Sequence, residues 1–91
     1  MTNLRKQACG KPCTVRLPGC DGGGETTVLA HYRMLPYSGA GMKPPDELGA
    51  WACGHCHAVI DGRIQDRMLS RTEVRLAHAE AVMRTALERA R

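Results

Sequence analysis

The sequence contains no phenylalanine, and its aromatic residues are limited to Trp51, Tyr32 and Tyr37. Aromatic side chains usually supply much of the buried area of a small core, so this chain must build its core from smaller side chains. Its 91 residues leave room for one domain, and we expect residues 1–91 to fold as a single unit. A domain of this size with so little core bulk needs disulfides, a bound metal or a partner.

Long apolar runs are also missing. No segment approaches the roughly 18–20 apolar residues that cross a bilayer, which argues against a membrane protein. The basic N-terminal residues are not followed by an apolar segment, so we find no signal peptide and expect a cytoplasmic protein. In that reducing compartment clustered cysteines are more often metal ligands than disulfides, and the odd count of 5 fits a disulfide framework poorly.

An excess of acidic residues is absent as well, since 13 lysines and arginines outnumber 9 acidic residues and the net charge is +4. Most of the positive excess lies in residues 63–91, which contain seven arginines and four acidic residues. A basic surface is compatible with nucleic-acid binding, but a charge of this size is common among proteins that bind no polyanion. Charge alone therefore does not identify the partner.

Turn-forming residues divide the chain into a few short elements. The sequence predicts strands over 26–33 and 48–52, turns or loops over 13–24, 36–46 and 53–56, a short helix or loop over 4–12, and helices over 57–68 and about 71–90. Ser70 and Glu73 match a capping box at the start of the last helix. Two strands combined with helices predict a small α+β fold.

The last predicted helix carries an apolar stripe with a spacing of three or four residues. Its members are Leu76, Ala79, Met83, Leu87 and Ala90. We expect this stripe to pack on the core or on a second copy of the chain. The second case would make the protein a homodimer.

The five cysteines indicate how the small core is stabilised. Cys53 and Cys56 have a spacing that lets two thiolates bind one tetrahedral ion from a single turn. Cys13 and Cys20 flank a Pro-Gly turn that can bring their sulfurs together. We therefore predict that these four hold a structural Zn²⁺ with a closed coordination shell, which leaves Cys9 as a spare thiol. The alternatives are a Cys9–Cys13 pair, a redox pair at Cys53 and Cys56, or unligated buried thiols.

Two histidines and a carboxylate predict a second, catalytic site. His57 and Asp61 are four residues apart on a predicted helix, so they share one face and can hold a divalent ion. His31 lies near the end of the first predicted strand, and pairing of the two strands would bring it to face them. A general base and a cation are what phosphodiester hydrolysis requires. Each residue has a structural alternative: His31 as a hydrogen-bonded strand residue, His57 as a zinc ligand, and Asp61 as an ion-pair partner of Arg63.

Basic residues near these groups are candidates for contacts to DNA. A series with a four-residue spacing contains Arg63, Arg67, Arg71 and Arg75. It would follow a phosphate backbone if it lay on one helix, but the capping box interrupts it, so a solvated charged face is an equal alternative. We predict DNA contacts from Arg33, Arg63 and Arg67. We expect His55 to be exposed and His78 to lie on the polar side of the last helix, both without a specific role.

These residues together resemble a known family. The order of motifs resembles that of an HNH nuclease (His-Me finger, ββα-metal) with a zinc knuckle. It consists of two cysteines, then Ala-His-Tyr-Arg at 30–33, then Cys-x2-Cys-His-x3-Asp at 53–61. More narrowly, the chain resembles the YbcO-like nuclease family of lambdoid phages and prophages from about residue 4 to residue 86. The segments that carry this resemblance are 16–20, 25–33, 43–46, 49–53 and 75–80.

The resemblance implies a fold, an activity and a role for each site residue. The fold would be a small zinc-stabilised ββα-metal core with an additional C-terminal helix. His31 falls at the general base, His57 at a catalytic metal ligand and Asp61 at a second ligand. The structural zinc ligands would be Cys13, Cys20, Cys53 and Cys56. The implied protein is a DNA endonuclease of phage DNA processing or recombination that uses Mg²⁺, Mn²⁺ or another divalent ion.

Two positions depart from the HNH pattern. Ala30 stands where many HNH nucleases have a metal-ligating Asp, and the middle Asn is absent because Asn3 is the only asparagine in the chain. Asp46 or a backbone carbonyl is an alternative means of orienting His31. The departures keep a second interpretation open, in which the protein is a non-catalytic zinc-stabilised module that binds DNA or protein.

Overall fold

A computed structural model describes residues 3–37, 41 and 43–91 of the chain. Its elements in chain order are α1 (Leu4–Ala8), β1 (Val28–His31), one turn of 3-10 helix (Asp46–Leu48), β2 (Gly49–Ala52), α2 (Gly54–Asp61) and α3 (Arg71–Arg89). The expected α+β class is confirmed, with strands shorter than those predicted. The predicted loop over 36–46 includes residues 38–40 and 42, which lie outside the described residues. None of the helices in the described part has the length and hydropathy to span a membrane.

The two strands form an antiparallel pair in which His31 at the end of β1 lies opposite Gly49 at the start of β2. All four residues of β2 are buried, and three of them are glycine or alanine. Gly49 is required by close packing, because a Cβ at this position would overlap the Leu29 side chain. The small side chains also leave room for α3, which packs across β2.

Helix α2 differs from the predicted helix over 57–68 at both ends. It begins at Gly54 because the Cys53 side chain caps it, accepting a hydrogen bond from the backbone N–H of Cys56 at 3.4 Å. It ends at Asp61 because Gly62 adopts a left-handed conformation with φ +82° and donates its N–H to carbonyls of the last turn. The cysteine pair therefore lies on the first turn of a helix, and residues 62–70 are not helical.

Helix α3 has the predicted capping box, in which Ser70 and Glu73 bond each other's backbone, and the face that it buries against the core is not the apolar stripe. The predicted stripe is exposed: Leu76 is 60%, Met83 60% and Leu87 67% accessible. The buried residues are Val74, His78, Ala81 and Thr85.

A hydrogen-bond network explains why this less apolar face is buried. Thr85 Oγ1 accepts the Trp51 backbone N–H at 3.1 Å and bonds Thr14 Oγ1 at 2.9 Å. Buried hydroxyls are tolerated when they are paired in this way. Of the two positions expected for the apolar stripe, the core is excluded for its large side chains, whereas packing on a second copy of the chain stays a prediction. A pattern based on hydrophobicity does not reveal the polar partners that distant segments supply to the buried face.

The expectation that His78 lies on the polar side of α3 was also wrong. Only 4% of the residue is exposed, and its Nε2 donates to the Ala30 carbonyl at 2.8 Å. Its ring also meets the Tyr32 ring edge to face, with the centroids 5.1 Å apart. Burial lowers the pKa of His78 from the ordinary value of 6.5, so the neutral ring is the form that fits.

Helix α1 covers the other side of the sheet. Asn3 caps it through hydrogen bonds from the backbone N–H groups of Arg5 and Lys6. Ala8, Leu29 and Trp51 form a small apolar cluster beneath this helix, separate from the main core between the sheet and α3. Strand β2 is therefore covered on both faces, which accounts for its four buried positions, whereas Val28 at the start of β1 is exposed.

The pH dependence of stability tests the burial of His78. Folding lowers the pKa of His78, so below about pH 6.5 this histidine binds a proton in the unfolded chain more readily than in the folded chain. The free energy of unfolding therefore decreases as the pH falls below about 6.5. In His78→Gln this component is absent. We expect urea denaturation between pH 7.5 and 5.5 to show a smaller loss of unfolding free energy for this variant than for the wild type. Equal losses in the two proteins would contradict the assignment.

Candidate metal centre and candidate active site

Four cysteine sulfurs converge where the first loop meets α2. Within the described residues, Cys13, Cys20, Cys53 and Cys56 form the one group of three or more potential ligands whose atoms all lie within 4.8 Å of one another. Three of these residues are buried and Cys20 is half-buried. Cys9 is exposed and lies outside the group. The structure thus brings together the four cysteines chosen from their spacing.

Backbone turns place the two N-terminal sulfurs. The Cys20 N–H donates to the Leu17 carbonyl at 2.9 Å, which closes the predicted Pro-Gly turn. The Cys13 N–H donates to the Gly22 carbonyl at 3.0 Å. Gly23 must be a glycine here, because it has φ +88° and a Cβ would meet the Cys13 backbone nitrogen.

The electrostatics of the four thiols favour a bound cation. A hydrogen bond from the Cys56 thiol lowers the pKa of Cys13 to about 4, and the same bond raises the pKa of Cys56. Burial raises the pKa of Cys20. The Cys13 thiolate is stabilised, whereas the Cys20 and Cys56 thiols resist ionisation, so converting the group to thiolates needs a dication among the sulfurs. A compact set of four sulfur donors can hold a metal ion such as zinc.

His55 contributes to this region without belonging to the cysteine group. It is half-buried, and its Nε2 donates to the Pro18 carbonyl at 2.8 Å. The expectation of a simply exposed side chain was therefore wrong. Because His55 lies between Cys53 and Cys56, this bond ties the first turn of α2 to the loop that carries Cys20.

His31 lies at the end of β1 and is paired with a carboxylate. Its Nε2 lies 2.7 Å from Asp46 Oδ1, and Arg5 Nε lies 3.5 Å from the same oxygen. The hydrogen bond with His31 and the charge of Arg5 lower the pKa of Asp46, so this group is a carboxylate at neutral pH. Of the two proposed means of orienting His31, the structure contains the Asp46 contact.

His57 and Asp61 lie one turn apart on α2, as predicted. His57 Nε2 is 3.4 Å from Asp61 Oδ2. Arg63 Nη2 lies 3.5 Å from Asp61 Oδ2 and 3.4 Å from His57 Nδ1. The predicted ion pair between Asp61 and Arg63 is therefore present together with the predicted histidine–carboxylate pair. An imidazole nitrogen and a carboxylate oxygen this close fit a divalent ion that is bound by two protein ligands.

A cavity of about 280 Å³ connects these two parts of the site. Its charged and titratable lining residues are His31, Arg33, Asp61, Arg71, Arg75 and His78. His31 and Asp61 thus share one cavity, although the potential ligand atoms of His31, His57 and Asp61 do not form a compact group like that of the cysteines. Three arginines against one carboxylate give the cavity a positive charge, which suits a phosphodiester.

The arginines are arranged differently from the predicted stripe. Arg33 lines the cavity, whereas Arg67 lines a second cavity of about 270 Å³ beside residues 64–66. Arg71 donates to the carbonyls of Val59 and Ile60 at 2.9 and 2.8 Å. The series of four arginines does not form one helical face, because residues 62–70 leave the helix.

Arg75 and His78 also line the cavity. Arg75 belongs to the arginine series for which the sequence left a phosphate-binding and a solvated face open, whereas His78 was expected to have no specific role. The Arg75 guanidinium lies 4.7 Å from the centre of the Tyr32 ring and donates to the Tyr32 hydroxyl at 3.0 Å. A signal was present, because residues 71, 75 and 78 have the spacing that places side chains on one helical face. Their position opposite His31 depends on how α3 packs against the sheet, which the spacing does not reveal.

Comparisons with known proteins agree with the family resemblance. A family model described as "Putative nuclease YbcO" matches residues 2–91. The chain is 52% identical over 64 residues to "Putative nuclease YbcO" of Escherichia coli (strain K12), covering 69% of this chain and 67% of that one. "Putative nuclease ybcO" of Enterobacteria phage 82 matches with the same identity and coverage.

A solved structure is similar over almost the whole chain. It is described as "Structure of a putative bacteriophage protein from Escherichia coli str. K-12 substr. MG1655" and is 38% identical, with a TM-score of 0.73. The similarity covers 92% of this chain and 91% of that chain. Since a family model spans residues 2–91 and two relatives share half of the aligned residues, this chain belongs to the YbcO family.

Proposed function

We propose that the protein is a metal-dependent DNA endonuclease of the HNH type, with a ββα-metal core formed by β1, β2 and α2. The observation that carries the proposal is the cavity in which His31 and Asp61 lie together with three arginines, while His57 pairs with Asp61. The names of the relatives in Escherichia coli and phage 82 support a nuclease. Their origin also supports a role in phage or prophage DNA processing or recombination, and the expected cytoplasmic location stays a prediction.

Each part of the site has a role in phosphodiester hydrolysis. His31 accepts a proton from the attacking water as general base. His57 and Asp61 hold the divalent ion, Mg²⁺, Mn²⁺ or another, which when bound neutralises the scissile phosphate and the departing oxygen. Arg33, Arg71 and Arg75 face the same cavity and are placed to contact backbone phosphates. Such contacts position DNA without reading its bases, so low sequence specificity is expected.

Arg63 and Arg67 extend the proposed DNA-binding surface on one side of the cavity. Arg63 is 63% exposed at its side chain and lies against the proposed metal ligands, where it can also contact a phosphate. Arg67 is exposed and lines the adjacent cavity. We propose Arg67 as a peripheral phosphate contact, whereas Arg63 borders the reacting phosphate.

We also propose that the four-cysteine group binds a structural Zn²⁺. Four sulfur ligands close a tetrahedral shell, so this ion would stabilise the fold and leave no position for substrate. The group links the loop that carries Cys13 and Cys20 to the first turn of α2. Zinc binding would therefore help to hold α2, and with it His57 and Asp61, beside the sheet.

A non-catalytic module that binds DNA is the second candidate. The observation in its favour is that Ala30 is buried, with its carbonyl bonded to His78, at the position where many HNH nucleases have a metal-ligating Asp. Such a module would keep the zinc and the arginine-lined cavity. A metal count separates the two candidates: one bound Zn²⁺ per chain, and no second metal even with DNA present, would favour the binding module.

Replacement of the proposed general base tests the nuclease. We expect nicking of supercoiled plasmid or cleavage of branched DNA with Mg²⁺, Mn²⁺ or Ni²⁺, and a loss of on the order of 100-fold or more in His31→Ala. Glu25→Ala is the control, because it removes an exposed side chain outside the cavity and the cysteine group and should leave activity near the wild-type rate. Equal nicking by the wild type and His31→Ala would refute this mechanism.

Metal analysis and chelation test the structural zinc. We expect about one Zn²⁺ per purified chain, and unfolding on chelation or in Cys53→Ala, because structural zinc binding contributes about 10 kcal/mol or more to domains of only marginal stability. Cys9→Ala should keep both zinc content and thermal stability, since Cys9 lies outside the group. A stable, zinc-free wild-type protein would rule out this role.

A second copy of the chain is the proposed partner for the exposed stripe of α3. Leu76, Met83 and Leu87 present large apolar side chains at a spacing that suits helix pairing. We expect a dimer by light scattering, and a monomer after Met83→Glu at the same concentration. Met68→Glu removes an 85% exposed apolar residue elsewhere and should leave the dimer intact. A monomeric wild type at 100 μM would disprove the pairing.

A further inference from the structure

We propose that Asp46 is a positioning residue for His31: its carboxylate accepts the Nε2–H of His31, fixes the orientation and tautomer of the imidazole, and leaves Nδ1 as the basic nitrogen. This inference rests on the proposed function, because it assigns Asp46 a part in activating the same histidine. It adds a residue to the proposed site and identifies which histidine nitrogen takes up the proton.

Both side chains are placed by regular backbone structure. Asp46 begins the 3-10 turn directly before β2, and His31 ends β1, so the strand pairing brings them together. The turn is closed by the Leu48 N–H donating to the Pro45 carbonyl at 3.0 Å. The Tyr32 N–H donates to the Leu48 carbonyl, also at 3.0 Å, and so connects the residue after His31 to this turn.

The direction of the hydrogen bond follows from the charge of Asp46. An ionised carboxylate has no proton to donate, so at 2.7 Å from Asp46 Oδ1 the Nε2 of His31 must be the donor. Arg5 from α1 reaches the same oxygen, with 3.5 Å between Nε and Oδ1, and supports the ionised form. Arg5, Asp46 and His31 therefore form a chain of contacts from α1 to the cavity.

This arrangement determines what His31 can do. With Nε2 protonated, the neutral ring has its lone pair on Nδ1, and no described residue donates a hydrogen bond to that atom. His31 lines the cavity that also contains Asp61, where a water bound near the metal site would be placed. When Nδ1 takes up a proton, the imidazolium is stabilised by the adjacent carboxylate, as in other histidine–carboxylate pairs.

The test uses the full-length, metal-loaded chain with ¹⁵N-labelled histidine. In the wild type we expect a downfield Nε2 proton of His31 that exchanges slowly with water, and an unprotonated Nδ1. In Asp46→Ala that proton signal should be lost, because the Nε2 proton then exchanges rapidly with water. In Asp46→Asn it should persist, because the amide oxygen still accepts the bond. Glu47→Ala is the matched control, since Glu47 is the exposed neighbour on the same turn.

Kinetics on DNA provide the second measurement. We expect kcat to fall on the order of 10- to 100-fold in Asp46→Ala with little change in KM, as for other residues that orient a histidine. Asp46→Asn should recover part of this loss, because it restores orientation without charge, and Glu47→Ala should match the wild type. If Asp46→Asn has the zinc content and circular dichroism spectrum of the wild type, its reduced kcat does not result from misfolding.

The outcomes separate this inference from the proposed function. An unchanged Nε2 proton signal in Asp46→Ala would overturn the positioning role, whatever the nuclease activity. If the signal disappears as expected but neither the wild type nor any variant cleaves DNA, the contact is confirmed, and both the nuclease and the catalytic part of this inference are refuted. Loss of the signal together with a selective loss of kcat supports both.

Discussion

Four cysteine sulfurs converge between the first loop and α2, and this contact fixes how the helix that carries His57 and Asp61 lies against the sheet. The chain has few large side chains to bury, and its sheet has only two strands, one of them made mostly of glycine and alanine. Two strands and short helices do not supply enough apolar area to hold a precise geometry. The sulfur cluster joins the loop of residues 13–20 to the start of α2, and thereby sets where that helix points. His57 directly follows Cys56, and Asp61 lies one turn further along the same helix.

The small side chains of β2 have a second consequence. They let α3 approach the sheet closely, with Ala81 and Thr85 fully buried against it. The same contact carries His78 to the Ala30 carbonyl and Arg75 to the Tyr32 ring. The packing of α3 on the sheet therefore forms one wall of the cavity. It also places Arg71 and Arg75 of α3 in the cavity that His31 lines. Stability and site geometry depend on the same contact.

Several features followed directly from local patterns in the sequence. The capping box at Ser70 and Glu73, the Cys53–Cys56 turn and the His57–Asp61 spacing each describe neighbours within four residues, so chain geometry alone brings them together. The prediction of a helix over 57–68 was wrong because Gly62, a single residue with a left-handed backbone conformation, ends the helix early. The spacing of the apolar stripe of α3 left open whether it packs on the core. The structure buries the other face of the helix there, because polar residues of that face form hydrogen bonds with distant segments.

The order of residues along the chain established which chemistry is available to this protein: the cysteines that can ligate an ion, the imidazole and carboxylate that share a helical face, and the family that the chain resembles. The pairings between distant segments depend on the fold of the whole chain. Asp46 meets His31, and Arg71 and Arg75 line the cavity, because strand register and the packing of α3 bring those positions together. Local spacing is imposed by covalent geometry, whereas contacts between remote residues depend on the packing of the whole chain.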